Sequence, residues 1–474
     1  MKELTLFLEP GSKRKLYEQI YDYMVTEIRT GRLLVGERLP STRSLAEFLS
    51  VSRSTVDLAY DQLQAEGYIE ARPYRGYFVC HVEELVRIEP GKEWEAQPEP
   101  EPKEQFQIDY SPNGVDMSRF PFDTWRRITR NTLNDDRLEL FSPGEPQGDY
   151  GLRYTIARYL HSARGVLCEP SQIIIGAGND YLLMLLRYII GEGRSVAMEN
   201  PTYQRAYCLF SAMGFRMCVV GMDAQGMRTD ELEASGADLA YVMPSHQYPT
   251  GVIMPIGRRH ELLRWADAKE GRYLIEDDYD GEFRYRGKPV PSMQASDRSG
   301  RVIYIGTFSK AIAPAIRISY MVLPDVLIES FRSRCGFLSS TVSRIDQATL
   351  NEFIQDGYFE RYLNKMRKYY RQKHDLMLGV IRRWAPDFTV SGAHAGMHLL
   401  VTANNGLSAS EMKLRAAAMG IRVYTLKELT IREERMGLPA HLAKDRTVVL
   451  GFGGLKTDEL RAGLRILRSC WRYA

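Results

Sequence analysis

The chain's 474 residues exceed what one ordinary core takes up, so two or more domains are expected, and 44% hydrophobic with 26% charged residues describes a globular protein with material for a large core. No run approaches the ~18 apolar residues of a spanning helix, and the charges in "MKELTLFLEPGSKRK" come too early for a secretory signal, so a cytoplasmic location with no membrane partner is expected. The formal charge of +3 identifies no partner, and six scattered cysteines, with no C-x-x-C pair and no His at metal spacing, predict reduced core thiols and neither disulfides nor a metal site.

Residues 12 to 80 read as a small helical unit closed by a hairpin. Ser12 is placed to cap a helix carrying Leu16, Ile20, Met24 and Ile28, which Gly31 stops. A second helix follows Pro40 and Ser41 with Leu45, Phe48 and Leu49 on one face. After the turn "SVS" a third begins near Arg53, with Val56, Tyr60 and Leu63 inward and Gly67 at its end. "YIEARPYRGYFV" alternates and turns between Pro73 and Gly76, as a two-stranded wing does. The whole is a winged helix-turn-helix over residues 1–81, and double-stranded DNA is the expected partner. Its recognition helix would bring Ser52, Arg53, Ser54 and Thr55 to base edges, with Arg43 at phosphate and Arg75 and Gly76 at the minor groove. Residues 39 to 80 contain Arg43, Arg53, Arg72 and Arg75 but also Glu47, Asp57, Asp61, Glu66 and Glu70, so placement and not bulk charge carries this expectation. Two modules on a repeated or palindromic site are then needed.

Residues 82–106 are rich in Glu and Pro and read as a linker. From 107 to 474 short apolar runs ("SQIIIGAG", "SVAMENP", "DLAYVMPS", "RYLIEDD", "RVIYIGT") alternate with helical stretches, which predicts an α/β domain with a mostly parallel sheet. Ligands of such sheets sit beyond the carboxyl ends of the strands, so the polar residues after each run are the candidates.

In "YLIEDDYDGEF", Asp277 leaves the end of a run, where a carboxylate needs a cation such as a protonated pyridine, and Tyr279 follows on the same side. In "GTFSK", Lys310 can be desolvated into a nucleophile for an aldehyde, while Thr307, Ser309 and the later Arg317 offer hydroxyls and a fork to a phosphate. Gly178, Asn179 and Asp180 open a helix whose free N–H groups suit an anion. Tyr203 can stack on a flat ring and Arg205 can meet a ligand carboxylate. Taken singly, each is more simply an ordinary strand end, a core Tyr or a surface Arg. Together they are the parts that pyridoxal 5′-phosphate requires.

The ordered series "GAGND", "NPTY", "PSHQYPTG", "EDDYDGEF", "GTFSKAIAPAIRISY" resembles fold-type I pyridoxal-phosphate aminotransferases, and "RLPSTRSLAEFLSVSRSTVDLAYDQLQAEGYI" with "RGYFV" resembles the GntR winged helix. Joined in this order they resemble the MocR family of transcription regulators. That resemblance implies Lys310 as the covalent anchor of the cofactor, Asp277 at the pyridine nitrogen, Tyr279 at the ring hydroxyl, Tyr203 on the ring face, and Ser309 and Arg317 at the phosphate. His246, within "PSHQYPTG", is counted with the cofactor-binding set. It further implies a head-to-tail homodimer and an effector that is an amine, an amino acid or pyridoxal phosphate itself. Tyr248 stands where aminotransferases carry an Asn, and Val449 in "TVVLGFGGL" stands where they carry an Arg for the substrate carboxylate. A second carboxylate-binding Arg, expected near "YTLKELT", is replaced in that neighbourhood by Lys427. These departures favour a regulator over the alternative, an active aminotransferase with an accessory N-terminal domain.

Overall fold

In the computed structural model the described residues are 6–9, 11, 12, 14–81, 106–285, 290–431 and 444–472. The first unit is built on α1 (Leu16–Arg29), which buries Ile20, Met24 and Ile28 and is followed by Gly31 at φ 70°. Its start is set by Glu18, whose carboxylate accepts from the Lys15 amide at 3.1 Å. The expected Ser12 cap is therefore incorrect: Ser12 Oγ accepts from the Arg14 amide instead (3.3 Å). In α2 (Thr42–Leu49), capped by Ser41 Oγ, the buried residues Thr42, Leu45 and Ala46 follow an i, i+3, i+4 stripe. Phe48 falls off the edge of that stripe and is 64% exposed, contrary to the expectation that it packs inward.

The third helix, α3 (Arg53–Ala65), buries Val56, Ala59, Tyr60 and Leu63. Next, β1 (Ile69–Arg72) and β2 (Gly76–Val79) pair antiparallel, from Ile69 opposite Val79 to Arg72 opposite Gly76. The tip needs left-handed backbone at Tyr74 (φ 61°) and Gly76 (φ 97°). The predicted helix-turn-helix and wing are thus present. The expected linker 82–106 lies outside the described residues except for Phe106.

The chain divides into two compact units, Met1–Glu101 and Pro102–Ala474. In the second unit each apolar run noted in the sequence forms a strand. In chain order come β3 (Ile173–Gly176), α4 (Asn179–Ile190), β4 (Ser195–Glu199), α5 (Gln204–Ala212), β5 (Arg216–Val220), β6 (Leu239–Val242), β7 (Tyr273–Asp278), β8 (Val302–Thr307) and β9 (Ser319–Val322). The sheet order is β3-β9-β8-β7-β6-β4-β5. Only β9 is reversed, pairing antiparallel with both β8 and β3. Every residue of β3, β4, β6, β7, β8 and β9 is buried, as expected for a sheet covered on both faces.

The long helix α6 (Tyr358–Arg382) leads to a second sheet of β10 (Phe388–Ser391), β11 (His398–Ala403), β12 (Tyr424–Thr425) and β13 (Thr447–Gly451), in the order β10-β11-β13-β12. All six thiols are free, but only Cys335 is buried and Cys208 is exposed, so the expectation of core cysteines holds for one of them. No helix among the described residues is long and apolar enough to cross a membrane.

Candidate functional site

The carboxyl ends of β3, β4, β6, β7 and β8 border a cavity of about 160 Å³, and the reversed β9 returns its amino end to the same edge. The cavity is lined by Asn179 and Asp180 after β3, Tyr203 and Arg205 after β4, Met243 and Tyr248 after β6, Asp277 and Tyr279 from β7, and Thr307, Ser309, Lys310, Pro314 and Arg317 between β8 and β9. One further lining residue, Asn113, comes from the start of the unit. Nearly all the residues singled out in the sequence are brought together here.

Lys310 sits in the short helix Phe308–Ala311. Burial brings its pKa down to about 8, against the opposing pull of Asp280, so a fraction of the amine is free base near neutrality. Its Nζ donates to the Pro112 carbonyl (3.0 Å) and Asn113 Oδ1 (3.3 Å). Asp277 is buried, and desolvation pushes its carboxyl up to about 7, opposed by a short hydrogen bond from the Tyr241 hydroxyl and reinforced by Asp278 and Asp280. Asn179 Nδ2 is 3.5 Å from its other oxygen. No ion pair to Asp277 occurs among the described residues, so its ionised form lacks the cation that would stabilise it.

Tyr279, whose pKa burial raises well above a phenol's usual value, has its hydroxyl 2.9 Å from His246 Nδ1, which is equally close to Asp280 Oδ2. A proton on Nδ1 satisfies Asp280 and leaves the Tyr279 phenol proton to point elsewhere. His246 thus stands behind Tyr279 and does not line the cavity itself. Tyr203 and Tyr248 meet edge to face, with centroids 6.2 Å apart.

One end of the cavity is built from Ser309, Arg317 and the start of α4. Ser309 Oγ and Asn179 Oδ1 are buried without a hydrogen-bond partner. The Thr307 hydroxyl accepts from the Ser309 amide (3.1 Å) and from Ser319 Oγ (2.8 Å), which fixes the turn. Arg317 Nη2 donates to the Ala177 carbonyl (3.3 Å) and approaches Asp180 (3.5 Å), while Arg205 pairs with the same Asp180 at 3.0 Å. Gly178, at φ 93°, leaves room that a side chain would fill: a Cβ there would fall 2.0 Å from Arg317 Nη2. A Lys amine, an uncompensated carboxyl, a phenol, a stacking ring and a hydroxyl-guanidinium-helix cradle fit pyridoxal phosphate in charge and in donor set.

Val449 lies in a wholly buried cluster with Leu400 and Leu426, opposite Leu400 and Tyr424 in the second sheet. Lys427 is exposed and does not line the cavity. Sequence reading missed Asn113 and Tyr241. Tyr241 sits inside the apolar run "LAYV", where nothing distinguishes it from core.

In the first unit Ser52 Oγ caps α3 by accepting from the Thr55 amide (3.2 Å) and stands 2.8 Å from Ser54 Oγ. Arg43 and Arg53 are exposed and pair with Glu47 (3.1 Å) and Asp57 (3.6 Å) one turn on. Arg75 donates its amide to Arg72 at the wing tip. Arg38, absent from the sequence reading, packs beside Gly76, 3.4 Å from where a Cβ would stand.

Residues 16–79 match the family "Bacterial regulatory proteins, gntR family", and residues 116–441 match "Aminotransferase class I and II". The chain is 38% identical to the HTH-type transcriptional regulator YhdI of Bacillus subtilis, over 99% of this chain and 98% of that one. It is 31% identical to the probable rhizopine catabolism regulatory protein MocR of Rhizobium meliloti, over 98% and 96%. The multiple substrate aminotransferase of Thermococcus profundus superposes with a TM-score of 0.66 at 25% identity, covering 78% of this chain and 92% of that one. Two units that match separate families, in one chain whose relatives match along their full length, place this protein among the MocR-type transcription regulators, in which a gntR-family DNA-binding unit precedes an aminotransferase-like unit.

Proposed function

We propose that this regulator binds pyridoxal 5′-phosphate at Lys310 and uses it to sense a small amine or amino acid, or the cofactor itself, changing how a pair of winged helices engages DNA. The observation that carries the reading is the meeting, at one sheet edge, of Lys310 with its lowered pKa, the unpartnered Ser309 hydroxyl, Arg317 and the uncompensated Asp277. When bound, pyridoxal phosphate supplies an aldehyde that primary amines take up reversibly. Asp277 would gain the pyridinium cation it lacks, Tyr279 would offer its phenol to the ring oxygen, Tyr203 would cover a ring face, and Ser309, Thr307, Arg317, Gly178 and Asn179 would hold the phosphate. Arg205, tied to Asp180, is the candidate for a ligand carboxylate. The apolar burial of Val449 supports sensing over turnover, because the position offers no cation to orient a substrate carboxylate.

On the DNA side, Arg43 and Arg53 are each paired with a neighbouring carboxylate, which suits weak binding by one module and useful binding by two on a homodimer. The reading assigns DNA to residues 1–81 and the effector to 107–474, joined through 82–106, in a protein of the cytoplasm. Absorption spectroscopy of the purified protein during titration with pyridoxal phosphate and then with a panel of amines and amino acids tests it. A visible band that one ligand converts to a second, lasting form supports sensing. A spectrum that runs through to the colourless amine form of the cofactor and is restored by a keto acid supports an aminotransferase. Absence of any band that stays with the protein once unbound cofactor has been removed overturns the site.

A further inference from the structure

Both acceptors of the Lys310 amine lie on one strap, residues 106–116, which is the first described stretch after the sequence leading from the DNA-binding unit. The strap is pinned at both ends. At one, the Gln107 amide donates to the Gly420 carbonyl (2.9 Å), the Tyr110 amide to Arg422 (3.0 Å), and the Gly451 amide to the Tyr110 carbonyl (2.8 Å). At the other, the Asp116 carboxylate meets the buried Lys373 ammonium at 2.8 Å and its amide donates to the Tyr370 hydroxyl (3.2 Å). Between the pins, the turn's amides donate internally, from Asn113 to Ser111 Oγ (3.3 Å) and from Gly114 to the Ser111 carbonyl (3.2 Å). Lys310 therefore ties the middle of the strap to the loop between β8 and β9.

We propose that this strap reads the state of the Lys310 amine, with Asn113 as the positioning residue that holds the amine when it is free. Resting on the reading of Lys310 as the cofactor's covalent anchor, the device has two positions. A free Lys310 donates to Pro112 and Asn113 and fastens the turn; an engaged Lys310 withdraws its protons from both acceptors and releases it. With the cofactor's aldehyde carbon bonded to a ligand amine in place of Lys310, the freed Lys310 amine would donate again to Pro112 and Asn113. Effector binding and release are thereby converted into a change in how tightly the middle of the strap is held, a differential contact of the kind that coupling between two sites requires.

Hydrogen–deuterium exchange of the full chain, followed in peptides covering residues 106–116, tests this. Three samples are compared: cofactor-free protein, cofactor-free Lys310→Met, and protein loaded with pyridoxal phosphate. The strap amides are expected to exchange slowest in the first and severalfold faster in the other two, with Asn113→Ala intermediate, while peptides around Gly178 and Ser309 slow on loading. Unchanged strap exchange in cofactor-free Lys310→Met, or in folded cofactor-free Asn113→Ala, overturns the strap, whatever the cofactor does. Slower strap exchange on loading overturns it too. Faster exchange in the variants with no effect of pyridoxal phosphate anywhere overturns the cofactor reading, and the switch with it, and the Lys310→Met sample tells that failure from the others.

Discussion

The guanidinium of Arg317 lies directly over Gly178, so close that a methyl group at Gly178 would overlap Arg317 Nη2 at 2.0 Å. The pair meets at the cradle proposed for a phosphate, Gly178 from the turn before α4 and Arg317 from the loop that leads into β9.

Gly178→Ala should therefore do two things. Its backbone (φ 93°, ψ 168°) belongs to glycine, so strain of about 1–3 kcal/mol lowers thermal stability. Displacement of Arg317 should weaken pyridoxal phosphate by about tenfold or more, equivalent to ~1.4 kcal/mol. A fluorescence titration with the cofactor reads the second effect, and wild-type affinity in a folded variant would remove Arg317 from the phosphate site.

A lysine amine takes up an aldehyde as the free base, and burial brings the pKa of Lys310 down to about 8. The rate of cofactor uptake by the cofactor-free protein should rise with pH through about 8 and level off above it, where an ordinary lysine would still be gaining. Stopped-flow absorbance across that range gives the midpoint. Lys310→Ala should abolish the covalently held form altogether.

Asp277 bears on stability as well as binding. Its folded pKa, about 7, lies above the usual 3.8, so between those values the folded state holds a proton that the unfolded state has lost. Its contribution to the cofactor-free protein is thus full below about pH 4 and lost as pH rises through 7. Glu276 and Glu282, also raised by burial to about 7, act in the same sense. Asp277→Asn should melt higher than wild type above pH 7, with the gap narrowing toward pH 4, while binding pyridoxal phosphate more weakly. Thermal melts of cofactor-free protein at several pH values decide the sign.

Arg53→Ala should reduce specific DNA affinity by ~1–3 kcal/mol and leave the cofactor spectrum unchanged. Arg43→Ala should instead weaken binding across sequences and lower the salt slope by about one. Ser52→Ala acts differently again, costing ~1 kcal/mol of stability through the lost cap. Gel-shift titrations at two salt concentrations, beside thermal melts, separate the three.

Most of the site was legible because its residues follow strands immediately. Lys310, Ser309, Asp277 and Tyr279 need only the end of an apolar run to place them, and the reversed β9 explains why Arg317 returns to the same edge. Asn113 could not be read that way, since it reaches Lys310 across 197 residues of sequence. Tyr241 was hidden by its own strand, where a hydroxyl aimed at Asp277 looks like one more buried aromatic. The first unit was legible in outline and misread at its margins. Ser12 has the right chemistry for a cap but lies too far from Leu16, and Phe48 is apolar yet sits one step outside the stripe that α2 buries.

Lys310 and Arg317 share one loop whose two ends are clasped together, the Phe308 amide donating to the Ile318 carbonyl at 3.0 Å and Ser319 Oγ to Thr307 Oγ1 at 2.8 Å. Such a closed loop fixes a length as well as a position. One residue added or removed between Ala311 and Ile316 would put Lys310 and Arg317 out of phase at the cavity, although no contacting side chain had changed. This segment should therefore vary by substitution and not by insertion, even if the ligand that the cavity receives differs from one such regulator to the next.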